Sequence, residues 1–104
     1  MNLDNVAVTH NAEAKRFELH ADDLQSLLTY RRFPDRILFD HTEVPKPLEG
    51  QGLAARLARV ALDFARANHL RVVPLCPYVS SFIRKHTEYQ DLLSSDDLQK
   101  LQSR

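Results

Sequence analysis

The sequence predicts an α/β fold, a mixed and mostly antiparallel sheet with one long helix and a short second helix. Three observations predict it. Residues 6–44 alternate apolar and polar side chains in short runs, the period of half-buried strands. Residues 52–68 place apolar side chains at helical spacing. A short apolar run at 70–75 then follows the helix directly, so strand, helix and strand form one crossover. The chain of 104 residues is the size of one domain, read as 1–104.

The elements follow in order. Val6, Val8 and His10 alternate with Ala7 and Thr9, and Asn11 to Ala14 is small and polar enough for a hairpin connection. Lys15 to His20 alternates again. Leu27 to Phe33 is a third strand, although Leu24, Leu27 and Leu28 also fit helical spacing, so helix competes across Asp22 to Tyr30. Pro34-Asp35 makes a turn. Arg36 to Val44 is the next strand, with Ile37, Phe39, His41 and Glu43 on one face and Leu38, Asp40, Thr42 and Val44 on the other. Pro45 and Pro47 cannot donate to a ladder and stop it. The long helix runs from Gly52 to Asn68, its stripe formed by Leu53, Leu57, Val60, Ala61, Phe64 and Ala67. Leu70 to Leu75 is a strand, Tyr78 to Lys85 a short helix, and Asp96 to Gln102 a polar terminal helix or frayed tail.

Composition narrows the function. Fourteen basic and 14 acidic residues give a net charge of +0, so no electrostatic case for nucleic acid arises. No apolar run approaches the ~20 residues needed to span a bilayer, and no membrane association is expected. The opening MNLDNVAVTH has no basic region followed by an apolar one and does not read as a signal peptide. The single cysteine, Cys76, excludes an internal disulfide and suits a reducing cytoplasm. His10, His20, His41, His69 and His86 show no ligand spacing, so no metal is expected. Monomer and homodimer are equally compatible with a neutral chain of this size.

Glycine usage is the outlier. At the usual ~7% the chain would hold roughly seven; it holds 2, both in Gly50-Gln51-Gly52. They stand between a strand and a helix, where a capping Ser, Thr, Asp or Asn is the usual choice. The first N–H groups of a helix lack internal partners and sit at the positive end of its dipole. Strand, glycine turn and helix N-terminus together form a cradle for a pyrophosphate. The same pair of glycines also serves an ordinary tight turn. The loop lacks the marks of a dinucleotide fingerprint or of a Walker loop.

These segments carry a resemblance. His41-Thr42-Glu43-Val44-Pro45, Gly50-Gln51-Gly52-Leu53-Ala54 and Val73-Pro74-Leu75-Cys76-Pro77-Tyr78-Val79 resemble the small YjdJ-type branch of the GCN5-related N-acetyltransferases (GNAT), most strongly from Ile37 to Leu92. The resemblance implies a minimal GNAT-like fold, acetyl-CoA as cosubstrate and transfer of its acetyl group to an amine that the sequence does not name, an exposed amine on a protein being one such acceptor. It implies a backbone cradle for the pyrophosphate from Glu49 through Gly50, Gln51, Gly52, Leu53 and Ala54. It also implies pairing of the pantetheine arm with Thr42, Glu43 and Val44, along an edge that the neighbouring strand leaves free. Pro47 stands where the family usually has Arg or Gln. The helices that wall the acceptor site in larger members are missing between the first two strands, which leaves the acceptor side open.

The remaining candidates each have two readings. Cys76 is a buried core thiol or a nucleophile that accepts the acetyl group and passes it on. His41 is a structural histidine or a general base. Tyr78 is a packing aromatic or the proton donor to departing CoA thiolate. Phe82 packs in the core or against CoA. Lys85, in the run Arg84-Lys85-His86, is solvated or meets a CoA phosphate. The rival from another class is a CoA-binding sensor or interaction module without productive transfer.

Overall fold

The computed structural model describes residue 3 and residues 6–103. Of the opening segment read for a leader, Met1, Asn2, Asp4 and Asn5 lie outside the described residues. Five strands form one sheet in the order β1-β2-β3-β4-β5: β1 (Thr9–Asn11), β2 (Arg16–Ala21), β3 (Leu24–Arg32), β4 (Arg36–Glu43) and β5 (Arg71–Pro74). The first four pair antiparallel as a meander and β5 joins β4 in parallel. The crossover between them is α1 (Leu53–Ala67); α2 (Pro77–Lys85) and α3 (Ser95–Gln102) follow. The mixed α/β architecture is the one the sequence predicts.

Local chemistry explains the boundaries. The β1–β2 turn is closed by the Ala14 N–H donating to Asn11 Oδ1 at 3.0 Å, with Lys15 at φ 58. The β2–β3 turn places Asp22 and Asp23 at φ 51 and 64, a conformation that short polar side chains tolerate. Helix therefore loses the competition over 22–30. In strand form Leu28 and Tyr30 are buried and Ser26 joins them, while a helix would scatter these alternate residues around its circumference. Val6 and Val8 lie ahead of β1 and pack against the core outside the ladder. Lys46–Leu48 forms one 3-10 turn that buries Leu48, and residues 87–92 form another that buries Tyr89 and Leu92. α3 is a true helix, capped by Ser94 accepting from the Asp97 N–H at 3.1 Å and anchored by buried Leu101.

α1 lies across β2 to β5. Its buried side chains are Leu53, Leu57, Ala58, Ala61, Leu62 and Ala65, packed over Phe17, Leu19, Leu28, Ile37, Phe39 and Val72. The buried stripe is thus rotated from the one expected: Val60 is 38% exposed and Ala67 is exposed, while Ala58, Leu62 and Ala65 turn inward.

One irregularity positions everything that follows. Thr29 faces His41, but the next residue, Tyr30, faces Phe39, so β4 carries one extra residue, Asp40, as a bulge. Its carboxylate accepts from the Thr29 hydroxyl and lies 3.7 Å from the Arg31 guanidinium. A bulge inverts the alternation beyond it. Ile37 and Phe39 are buried, yet it is Thr42, opposite buried Leu28, that continues their face, and His41 and Glu43 turn outward. The expected face of Ile37, Phe39, His41 and Glu43 is corrected accordingly.

Candidate functional site

β4 pairs with β3 as far as Glu43, but with β5 only from Arg36 to Phe39. The last link on that side is the Cys76 N–H donating to the Phe39 carbonyl at 2.9 Å. Beyond the bulge β4 leaves β5, so residues 40–43 keep an edge that β5 does not pair. An extended amide-bearing ligand can add to such an edge as a strand does.

That edge runs into the glycine loop. Gly50 and Gly52 have φ of 79 and 77, the left-handed region that side-chain-bearing residues enter at a cost. A Cβ built on either would meet nothing within 4 Å. Backbone conformation, rather than crowding by the protein, therefore requires glycine there. Gly52 is also the N-cap of α1, where no side chain caps the helix and no acid occupies the first turn. A cavity of about 170 Å³ opens at this point, lined by Val44, Leu48, Glu49, Gly50, Gly52, Leu53, Ala54, Ala55 and Tyr78. Free N–H donors beside a small, mostly apolar cavity suit a diphosphate with an aliphatic arm.

Cys76 is the N-cap of α2 and is 3% exposed. Its Sγ lies 3.2 Å from the Thr42 Oγ1, so the bulge brings these two side chains together. Tyr78, half-buried, lines the loop cavity. Burial pushes its phenol pKa above the ordinary value; the Arg59 charge opposes that rise and Cys76 adds to it.

The other candidates lie elsewhere. His41 is 62% exposed on the outward face, its Nε2 3.7 Å from a Glu43 carboxylate oxygen. It does not share the face of Thr42, where Cys76 sits. Glu43 can offer the edge its backbone, but its side chain points away with His41. Gln51 is exposed and is not among the residues lining the cavity. Phe82 is buried, its ring stacked on His86 at 4.1 Å and covered by the Arg59 guanidinium at 5.4 Å, so it packs between helices and does not reach the loop. Lys85 is exposed at the end of α2, seven residues or about 10 Å of helix rise beyond Tyr78. Among the described residues no group of three or more His, Cys, Asp or Glu stands together to hold a metal, and no helix is long and apolar enough to cross a membrane.

Sequence reasoning missed two structural roles, the bulge at Asp40 and the packing of Arg59 against α2. Asp40 leaves no periodicity signal because a bulge adds a residue without changing composition. Arg59 looks like a solvated charge until α2 is packed beside it.

Comparisons with known proteins agree with this geometry. The sequence profile described as GCN5-related N-acetyl-transferase matches residues 16–92. The protein NATD1 of Bos taurus is 31% identical over 84 residues, covering 78% of this chain and 74% of that protein. Its Homo sapiens counterpart is 29% identical over the same length. A GCN5-like candidate N-acetyltransferase from Staphylococcus aureus, solved by NMR, superposes with a TM-score of 0.67 at 29% identity, covering 88% of this chain and 90% of the other.

Proposed function

The chain belongs to the GCN5-related N-acetyltransferase family, and from that premise we propose that it binds acetyl-CoA and transfers the acetyl group to an amine. The observation that carries this reading is the unpaired half of β4 leading into the uncapped N-terminus of α1. In this reading the N–H groups of the first turn of α1 hold the diphosphate. The free backbone groups of Thr42, Glu43 and Val44 pair with the pantetheine amides, and Val44, Leu48 and Tyr78 shelter the aliphatic arm from water. The acetyl end then points toward Cys76.

The chain's own groups can move the protons. The Tyr78 phenol stays protonated through the neutral range because burial raises its pKa, so it can donate to the departing sulfur. His41 faces the side that no helix of the larger enzymes walls off, where an amine would arrive, and its imidazole can take the amine's proton. In a relay, the Cys76 sulfur bonds the acetyl carbon as the CoA carbon–sulfur bond breaks, and the thiol proton ends on CoA. The amine then displaces Cys76 in turn. In direct attack Cys76 only shapes the pocket.

One observation favours the alternative, a CoA-binding module without turnover: His41 and Cys76 are on different faces of β4. The test is a calorimetric titration with acetyl-CoA and with CoA, repeated on Gly52→Trp. Micromolar binding, about 8 kcal/mol, that Gly52→Trp abolishes while the fold persists supports the cradle. No heat from the wild type overturns it, and binding without turnover on a panel of amines selects the module.

A further inference from the structure

We infer that Thr42 is a positioning residue for the acetyl relay, its hydroxyl holding the Cys76 sulfur at the gap between β4 and β5, an inference that rests on the acetyl-transfer reading above. The two residues are 34 positions apart and their side chains meet at 3.2 Å. Thr42 reaches the sulfur only because the Asp40 bulge turns it to the inner face, opposite Leu28. The bulge is itself held, by the Thr29 hydroxyl on the Asp40 carboxylate and by Arg31 3.7 Å away. Cys76 is pinned from the other side. Its N–H donates to the Phe39 carbonyl at 2.9 Å, and its carbonyl accepts from the Ser80 N–H at 3.0 Å. With both backbones fixed, the contact with Thr42 sets where the sulfur points.

The pairing is selective. An N-cap residue usually turns its side chain onto the free N–H groups of the first turn. Cys76 is the N-cap of α2, yet its sulfur makes no cap bond. Among the described residues the sulfur has no hydrogen-bond partner besides Thr42, and the Thr42 hydroxyl has none besides the sulfur. Cys76 is 3% exposed, so little water can take the place of that hydroxyl. In the relay the sulfur gives up its proton and bonds the acetyl carbon while the CoA carbon–sulfur bond breaks, and the proton ends on CoA. A neutral thiol is a weak hydrogen-bond acceptor, whereas a sulfur gathering negative charge is a stronger one. The Thr42 hydroxyl donates to the sulfur at that moment and keeps its own proton throughout. Because β5 does not pair with Thr42, its backbone stays open to the pantetheine arm while its side chain holds the thiol.

The experiment is a quenched single-turnover reaction with acetyl-CoA and no amine, read by intact mass, alongside calorimetry of acetyl-CoA binding. The wild type should gain one acetyl group that Cys76→Ala does not. Thr42→Val keeps the branched shape and removes the hydroxyl. It should slow acetylation roughly tenfold or more, the size of a hydrogen bond to a charged group, with acetyl-CoA affinity unchanged. Thr42→Ser retains the hydroxyl and should restore most of the rate. Acetylation of Thr42→Val at the wild-type rate, or a Thr42→Ser rate as slow as that of Thr42→Val, would overturn the assignment. So would a parallel loss of affinity and rate in Thr42→Val, the mark of a distorted strand. A wild type that binds acetyl-CoA but gains no acetyl group, or one whose acetylation persists in Cys76→Ala, overturns the relay and this inference and leaves acetyl-CoA binding standing. A wild type that does not bind acetyl-CoA overturns that reading as well.

Discussion

At the scale of single residues, Cys76 and Tyr78 are placed by what α2 does at its first turn. Pro77 starts the helix at a position where a missing N–H costs nothing. This leaves Cys76 as the cap, with its N–H tied to the Phe39 carbonyl and its sulfur beside Thr42. Cys76→Ala should lower acetyl transfer at least tenfold, ~1.4 kcal/mol in barrier, if the thiol relays the acetyl group; steady-state rates with acetyl-CoA decide, and an unchanged rate leaves direct attack. Tyr78→Phe keeps the ring that walls the cavity and removes only the proton. It should therefore reduce kcat by roughly 10²-fold, in the range of acid–base catalysis, with acetyl-CoA binding little altered. Because the phenol pKa is raised, the wild-type rate should show no loss from Tyr78 up to pH ~10. A rate falling well below that pH would assign the proton to another group.

The elements depend on charges as well as on apolar stripes, and β2 shows it most clearly. Glu18 is buried at 6% exposure, on the face opposite Phe17 and Leu19. Arg16 bonds its carboxylate, Asn11 from β1 donates at 3.0 Å and His20 lies at 3.2 Å. The Arg16 hydrogen bond first, and then Asn11, lower its pKa from 4.5 to about 2. A carboxylate with a depressed folded pKa stabilises the fold fully above its unfolded pKa, and that stability is lost as pH falls through the folded value. Acid unfolding should therefore weaken the protein between about pH 4.5 and 2, by on the order of 2 kcal/mol from this group. Glu18→Gln should flatten that window in denaturant titrations and lower stability at pH 7. An unchanged acid limb would show that the cluster contributes nothing. His10 works on β1 in the same direction. Its ring stacks on Phe17 at 4.4 Å and meets the Tyr30 hydroxyl at 2.6 Å, and burial followed by the Arg32 charge lowers its pKa below 6.5.

For the whole molecule, the consequence of five strands in sequential order is a sheet with two outer edges and one internal gap. The gap opens because β4 and β5 pair over four residues and then separate at the bulge, while α1 and α2 close over one side. Backbone amides in the gap are the ones a pantetheine arm would engage. Hydrogen exchange with and without acetyl-CoA should show added protection confined to residues 40–44 and to the loop at 49–55. Protection elsewhere, or none in 40–44, would mean the ligand does not lie along β4. Binding should also raise the melting temperature with ligand concentration, by mass action on the folded state.

The sequence by itself determined β2, β4, β5, the long helix and the glycine turn, because each is written in local terms (period, proline stops and a left-handed backbone that only glycine enters freely), while the strand over 24–32 was settled against helix only by its burial in the sheet. It also carried the resemblance that pointed to acetyl-CoA. Tertiary structure alone decided which residues share a face. The bulge at Asp40 reverses the alternation of β4, separating His41 from Cys76 and joining Thr42 to it, and one inserted residue leaves no trace in composition. The packing of α2 against α1 likewise withdrew Phe82 from the cavity and set the Arg59 guanidinium over its ring. The physical reason is the same in both cases. Local propensity specifies where the backbone bends, whereas the direction of a side chain depends on register and on the neighbour it packs against, which the chain acquires only when distant segments meet.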